Sequence, residues 1–193
     1  MQAILTATPL TADHGVLAPI RRLAEVLVEH WRAVLHALER FDAEIAQLAS
    51  TLSDDPLLRG LPGAGPGLSP RLLAAFGEQR ERYGSAADIQ RYVGIAPVTE
   101  RSGNNCWVHR RLPCPTFLRQ TFVAWAAPSI PRGYWAAVYD RHQRTKGAAH
   151  QAALRALAFK WIRIRYRCRK DRTPYDEATY LTALKRRGAP LLT

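Results

Sequence analysis

The chain has 193 residues, 47% of them hydrophobic, five tryptophans and a formal net charge of +12. That is enough apolar and aromatic material for a packed core, which excludes a disordered polyelectrolyte. No apolar run approaches a membrane span and no basic stretch followed by an apolar one opens the chain, so membrane insertion and secretion are not expected. Three cysteines at irregular spacing do not read as a disulfide framework and suit a reducing, cytoplasmic setting. The positive charge is concentrated: residues 101–172 hold sixteen Lys/Arg against two acids, Asp140 and Asp171, so that segment carries +14 and the rest of the chain −2. A basic block among aromatic residues is the footprint of a polyanion binder, with a solvated basic face as the plain alternative.

In chain order, residues 1–15 have no periodicity and read as a disordered lead-in. Residues 16–55 read as a coiled-coil helix. Ile20, Ala24, Leu27, Trp31, Val34, Leu38, Phe41, Ile45, Leu48 and Leu52 recur at spacings of four and three, with Glu25, Glu29, Arg32, Glu39, Arg40 and Glu44 on the outer faces. The seam does not say whether its partner is a second copy, another chain or the same chain. Ser53-Asp54-Asp55-Pro56 is expected to end this helix and cap the next.

Residues 56–184 read as a small helical domain and 185–193 as a tail. Around Leu61-Pro62-Gly63-Ala64-Gly65, two helical stretches meet in a turn with the spacing of a helix-hairpin-helix element. Gly63 and Gly65 permit backbone angles that let successive N–H groups face one phosphate at the start of the next helix; a turn that only packs is the alternative. That helix should bury Leu72, Leu73 and Phe76 and stop at Gly77. Ser85 caps a short helix from Ala86 to Val93, which Gly94-Ile95-Ala96-Pro97 ends. Val98 to Arg111, with Gly103, Asn104 and Asn105, reads as an irregular loop, with room in it for a short hairpin. Helices follow over Thr116–Pro128, Tyr134–Arg144, Ala148–Lys170 and Thr173–Leu184. The third contains the strand-like alternation Ile162-Arg163-Ile164-Arg165-Tyr166-Arg167, but its alanine-rich start favours helix. The fold class is mainly α.

Several side chains carry possible chemistry. Gly63, Gly65, Arg71, Arg101, Arg110, Arg111, Arg119, Lys160, Arg163 and Arg167 are candidate DNA contacts, and the run Arg163, Arg165, Arg167, Arg169, Lys170, Arg172 is placed to meet phosphates or RNA. Trp107, Trp125, Trp135 and Trp161 are large enough to stack on bases; Trp125 and Trp161 sit at core spacing, which leaves Trp107 as the better stacking candidate. Cys106, His109 and Cys114 lack the second pair that a zinc site needs, and no metal is assigned to this chain.

Leu61-Pro62-Gly63-Ala64-Gly65, Tyr92-Val93-Gly94-Ile95-Ala96-Pro97, Ser102-Gly103, Arg119 and the Ala148–Tyr166 helix, in that order and spacing, resemble the C-terminal transposase domain of the insertion-sequence family one-ten, grouped with the eleven-eleven elements. The resemblance covers about Pro56 to Tyr180, and the heptad helix is similar to the coiled coil that precedes the domain in that family. It implies a DNA recombinase with an N-terminal RuvC-like half that binds magnesium and a C-terminal serine that links covalently to DNA, directed by a guide RNA. By motif the nucleophile is Ser102. Two departures stand out. The acids here lie mostly on the heptad helix (Glu25, Glu29, Asp42, Glu44) rather than at strand ends, so the RuvC-like half and its magnesium are expected in trans. Pro113-Cys114-Pro115-Thr116 also replaces the family's Gly-Asn-like step.

The chain therefore reads as the C-terminal part of a transposase that binds element-end and target DNA and associates with itself through Val16–Leu52. A non-catalytic DNA- or RNA-binding remnant that dimerises through the same helix is the alternative, and a helix-hairpin-helix accessory factor a more distant one. A serine attacking a phosphodiester needs a base and positive charge. Arg101, Arg110, Arg111 and Arg119 are near in sequence, and His109 is the nearest candidate base.

Overall fold

The computed structural model describes residues 13–189. Eight α-helices, a 3-10 turn and a two-stranded hairpin make up these residues, so the fold is mainly α. They are α1 (His14–Ser50), α2 (Asp55–Arg59), α3 (Ser69–Phe76), the turn Arg80–Arg82, α4 (Ala86–Tyr92), β1 (Val98–Ser102), β2 (Asn105–His109), α5 (Thr116–Ser129), α6 (Tyr134–Thr145), α7 (His150–Asp171) and α8 (Glu177–Arg186). The expected lead-in falls almost entirely outside the described residues, as does the end of the tail. The chain forms two compact units, one reaching Ile45 and one beginning at Ala46. None of the described helices is long and apolar enough to cross a membrane.

In the first unit α1 begins at His14 because Asp13 caps it. The Gly15 amide donates to Asp13 Oδ1 at 2.8 Å, and the Val16 and Leu17 amides donate to the Asp13 carbonyl. Pro19 lies in the second turn, where its missing N–H leaves the Gly15 carbonyl without its usual helical donor. The heptad residues are exposed: Ile20 is 57% accessible, Leu27 57%, Trp31 65%, Leu38 51% and Phe41 61%. The helix stops at Ser50, short of the expected end, where the Ser50 and Thr51 hydroxyls donate back to the Gln47 and Leu48 carbonyls.

The second unit is assembled around α7, which packs against α2, α4, α5 and α6. Asp54 does not cap α2 as expected; it makes no side-chain bond to that helix's amides. Its carboxylate, 7% exposed as a residue, turns inward to three arginines. Arg80 Nη2 lies 2.5 Å from Oδ1, while Arg165 Nη2 and Arg169 Nε lie 3.2 and 2.8 Å from Oδ2. Arg169 also donates to the Phe76, Gly77 and Glu78 carbonyls, and Arg165 lies over the Phe76 ring. Burial pulls the Arg165 guanidinium below its ordinary range, and the Asp54 charge and hydrogen bond oppose that pull. The long expected basic run is thus divided: Arg165 and Arg169 are structural, and only Arg163, Arg167, Lys170 and Arg172 face outward.

The other half of the core is aromatic. Trp161 lies 5.2 Å from Trp125 and 5.3 Å from Trp135, ring centre to ring centre, and donates from Nε1 to Ser129 Oγ at 2.8 Å. Trp125 and Trp161 are core, as their spacing indicated; Trp135 is also buried at 1% exposure, which removes it from the base-stacking candidates. Burial pushes the Tyr139, Tyr175 and Tyr180 phenols above their ordinary value, keeping them as neutral core members. Glu177 at the start of α8 accepts the Tyr134 and Trp135 amides, capping α6 from a different element.

Asp54→Asn leaves two buried arginines facing a neutral amide. Removing one member of a buried charge cluster typically costs about 3–5 kcal/mol. Chemical denaturation should show a loss of that order, and a much smaller one for Asp88→Asn on the exposed Arg91 pair.

Candidate nucleic-acid interface and serine hairpin

Between α2 and α3 the chain makes a glycine-proline turn. Gly63 has φ 77°, and a Cβ there would lie 2.6 Å from the Ser129 amide nitrogen and 2.7 Å from the Pro128 carbonyl carbon. The turn is thus pressed against the end of α5, and Trp125 Nε1 fastens it with a 3.0 Å bond to the Pro62 carbonyl. Gly65 has open space at its Cβ position and no positive φ. Its carbonyl accepts the Leu68 and Ser69 amides, while the Ser69 hydroxyl donates to the Ala64 carbonyl. Within the described residues the Gly63, Gly65 and Gly67 amides donate to no protein acceptor.

These residues line an open cleft of about 810 Å³ together with Arg59, Arg71 and Arg132. Arg71 donates to Thr121 Oγ1 at 3.2 Å and lies 5.1 Å over the exposed Phe117 ring. Arg59 pairs with Asp55 at 2.6 Å, and Arg132 donates to the Pro128 carbonyl. Arg59 and Arg132 were missed in the sequence. Arg59 directly precedes the Gly60–Gly67 run, a usable signal, but Arg132 joins it only through the tertiary contact at Gly63.

The segment expected to be an irregular loop is a short hairpin. Val98 pairs with His109, Glu100 with Trp107, Arg101 with Cys106 and Ser102 with Asn105. Gly103, at φ 56°, occupies the first position of the two-residue turn, as a primed hairpin turn requires. Alternation puts Ser102, Glu100, Asn105, Trp107 and His109 on one face, and Arg101 and Cys106 on the other. Ser102 is therefore an exposed hydroxyl at the tip. His109 is four residues back along the ribbon, about 13 Å at ordinary strand rise, and lies 3.4 Å from Glu100. The structure does not bring the nearest candidate base to the serine. Cys106 and His109 project from opposite faces, so they do not converge as a zinc pair.

The remaining candidates are spread out. Arg110 is exposed and Arg111 half-buried behind β2. Arg119 reaches inward, Nη1 lying 3.1 Å from Cys114 Sγ and 3.4 Å from the Arg111 carbonyl, so it secures the loop before α5. Cys114 in turn sits against Gly94, where a Cβ would collide with its sulfur. Lys160 is half-buried, 5.9 Å over the Tyr139 ring; burial, then the Arg163 charge, lower its pKa. Arg163 and Arg167 are exposed one turn apart, Arg167 in contact with Asp171. Trp107 is 47% exposed on the serine face.

A family model described as Transposase IS116/IS110/IS902 family matches residues 55–141, a span holding both the glycine turn and the serine hairpin. Residues 55–141 form a domain of that transposase family. Relatives agree. The chain is 32% identical over 140 residues to a protein of Streptomyces coelicolor named as mini-circle transposase for IS117, covering 72% of this chain and 32% of the relative. It is 30% identical over 177 residues to a 43.6 kDa protein of insertion element IS110 from the same organism, covering 85% and 42%. A 42 kDa protein of insertion element IS900 from Mycobacterium paratuberculosis is 26% identical over 181 residues, covering 89% and 44%. The chain spans about a third to under half the length of these curated relatives.

The glycines of the turn should separate by experiment. Gly63→Ala meets backbone at α5 and a positive φ, and should lower stability by more than about 1 kcal/mol in thermal unfolding. Gly65→Ala should leave it within about 0.5 kcal/mol, because nothing opposes a methyl group there.

Proposed function

We propose that this chain is the serine-bearing, DNA-binding part of a transposase, with Ser102 as the nucleophile in strand exchange. The observation that carries the reading is the placement of Ser102: an exposed hydroxyl at the tip of a Gly-turned hairpin, within a transposase-family domain. In the reaction Ser102 Oγ loses its proton and bonds to phosphorus. The phosphorus–oxygen bond to the leaving sugar oxygen breaks, and that oxygen departs as a hydroxyl. Arg101 projects from the opposite face of the ribbon, so the positive charge for the phosphate oxygens as the centre becomes pentacovalent is assigned to a partner. Glu100 is the nearer carboxylate on the serine face, about 7 Å away by strand rise, and His109 is farther. Neither is within proton-transfer reach, so the base is assigned to a partner.

The glycine cleft, with three amides unused inside the protein and Arg59, Arg71 and Arg132 around it, holds backbone phosphate without reading sequence. Arg101, Arg110, Arg163 and Arg167 extend the contact. Among the described residues no group of three His, Cys, Asp or Glu side chains is placed to hold a metal; in this reading a RuvC-like half supplies the magnesium chemistry and a guide RNA selects sites. A second copy of this chain covers the exposed seam of α1. A non-catalytic binding module is the second reading, favoured by the roughly 13 Å of strand rise that separates Ser102 from His109, its nearest candidate base.

Covalent trapping separates the two readings. Labelled element-end DNA is incubated with the chain, alone and with a separately expressed RuvC-like half and magnesium, then run under denaturing conditions. The nucleophile reading expects an adduct that Ser102→Ala abolishes while DNA binding persists. Binding without any adduct in either mixture establishes the second reading. Self-association has its own check. Leu38→Lys puts a charge in the middle of the seam and should convert an oligomer to monomers by light scattering without changing the melting of residues 46–189.

A further inference from the structure

The described arginines fall into two groups. One group forms ion pairs: Arg22 with Glu25, Arg80, Arg165 and Arg169 with Asp54, Arg59 with Asp55, Arg91 with Asp88, Arg144 with Asp140 and Arg167 with Asp171. Arg110, Arg111 and Arg155 form no ion pair among the described residues, yet they gather at one place. They line a recess of about 170 Å³ floored by Gly94-Ile95-Ala96-Pro97 and walled by Val108 and His109. No carboxylate lines it. Arg111 Nε is buried there with no hydrogen-bond partner in the protein. The backbone amides of the floor are already used, Gly94 to the Arg91 carbonyl and both Ile95 and Ala96 to the Gln90 carbonyl, and Pro97 has none. The side-chain donors lining the recess are therefore the three arginines and His109.

Three guanidiniums with no carboxylate among the lining residues suit an anion, and the buried Arg111 Nε would gain from it the partner it lacks. The space fits a single tetrahedral anion with a few waters, each of which takes about 30 Å³. The recess lies at the His109 end of the ribbon whose far end carries Ser102. About 13 Å of strand rise separates the two rungs, close to four nucleotide steps of B-form rise.

We infer that Arg110, Arg111 and Arg155 form a second phosphate site, which holds one backbone phosphate of the DNA strand lying along the serine hairpin. This rests on the DNA-binding reading above but not on Ser102 being a nucleophile. Arg155 is the new residue: it comes from α7, so the site joins that helix to the hairpin base, and it is a positioning residue acting through the strand. With the glycine cleft it fixes the DNA at two points.

The test is the salt dependence of binding to a short duplex DNA, with the full chain and its Arg155→Gln, Arg110→Gln and Arg163→Gln variants. Each phosphate contact contributes a slope of about 0.9 in log K against log salt. Arg155→Gln and Arg110→Gln should each weaken binding several-fold at low salt and reduce the slope by about one, with the double variant losing little more than either. Arg110 is exposed, so its variant reports on the site even if Arg155→Gln fails to fold. Duplexes with one neutral methylphosphonate linkage, moved along the strand, should reveal a position whose replacement weakens the parent chain and is silent in Arg110→Gln. Unchanged affinity and slope in Arg110→Gln, or a loss equal to that of Arg163→Gln with no such position, overturns the site. Loss of slope with no Ser102 adduct retains the site and removes only the nucleophile.

Discussion

One carboxylate organises the second unit. Asp54 sits just beyond the end of α1 and receives Arg80 from the 3-10 turn and Arg165 and Arg169 from α7. Three positive charges on one buried negative charge do not balance alone. The excess is carried by carbonyls at the end of α3, which Arg169 gathers, and by the face of Phe76 under Arg165. The C-terminal carbonyls of a helix are themselves electronegative, so these arginines complete α3 as well as binding Asp54. A single acid thereby fixes the register of three segments distant in sequence. The aromatic cluster around Trp161 packs one turn earlier along the same helix.

The sequence made the helices legible and left their tertiary partners hidden. The buried faces of α3 and α7 followed from spacing, because Leu72, Leu73 and Phe76, or Leu154, Leu157, Trp161, Ile164 and Cys168, repeat at helical intervals. The strand-like alternation within α7 also resolves physically. Arg163 and Arg167 are one helical turn apart, as are Arg165 and Arg169, but the pairs lie on different faces, so one pair is exposed and the other enclosed. Charge alone could not distinguish them, since the acid that captures the inner pair lies 111 residues away from Arg165. Asp54 looked like a cap for the same reason: local pattern offered a nearby use for a side chain whose partners are remote.

The candidate site divides along the same line. Ser102-Gly103, the glycine turn and Trp107 were visible as local motifs, and a loop around Gly103 and Asn104 left room for the hairpin. What local pattern could not supply was which glycine is indispensable for packing, that Arg119 and Cys114 brace a loop, or that Arg155 reaches the hairpin base. Each of those is decided by a contact between elements. At Gly63 the packing reading of the turn holds, since its missing Cβ admits α5; the phosphate reading stays a proposal, compatible with glycine amides that meet no protein acceptor among the described residues.

The serine ribbon is the least self-sufficient part of the domain. Nine of its ten paired residues are exposed and Val98 alone is half-buried. Two strands without a packed face have little rigidity of their own, so the ribbon's final curvature is lent to it by what lies against it. For the proposed nucleophile this means a hydroxyl that is poorly aimed in the free protein and becomes aimed as a bound strand settles. On that proposal, mistimed attack on passing phosphates is suppressed by mechanics: the tool takes its cutting shape from the workpiece.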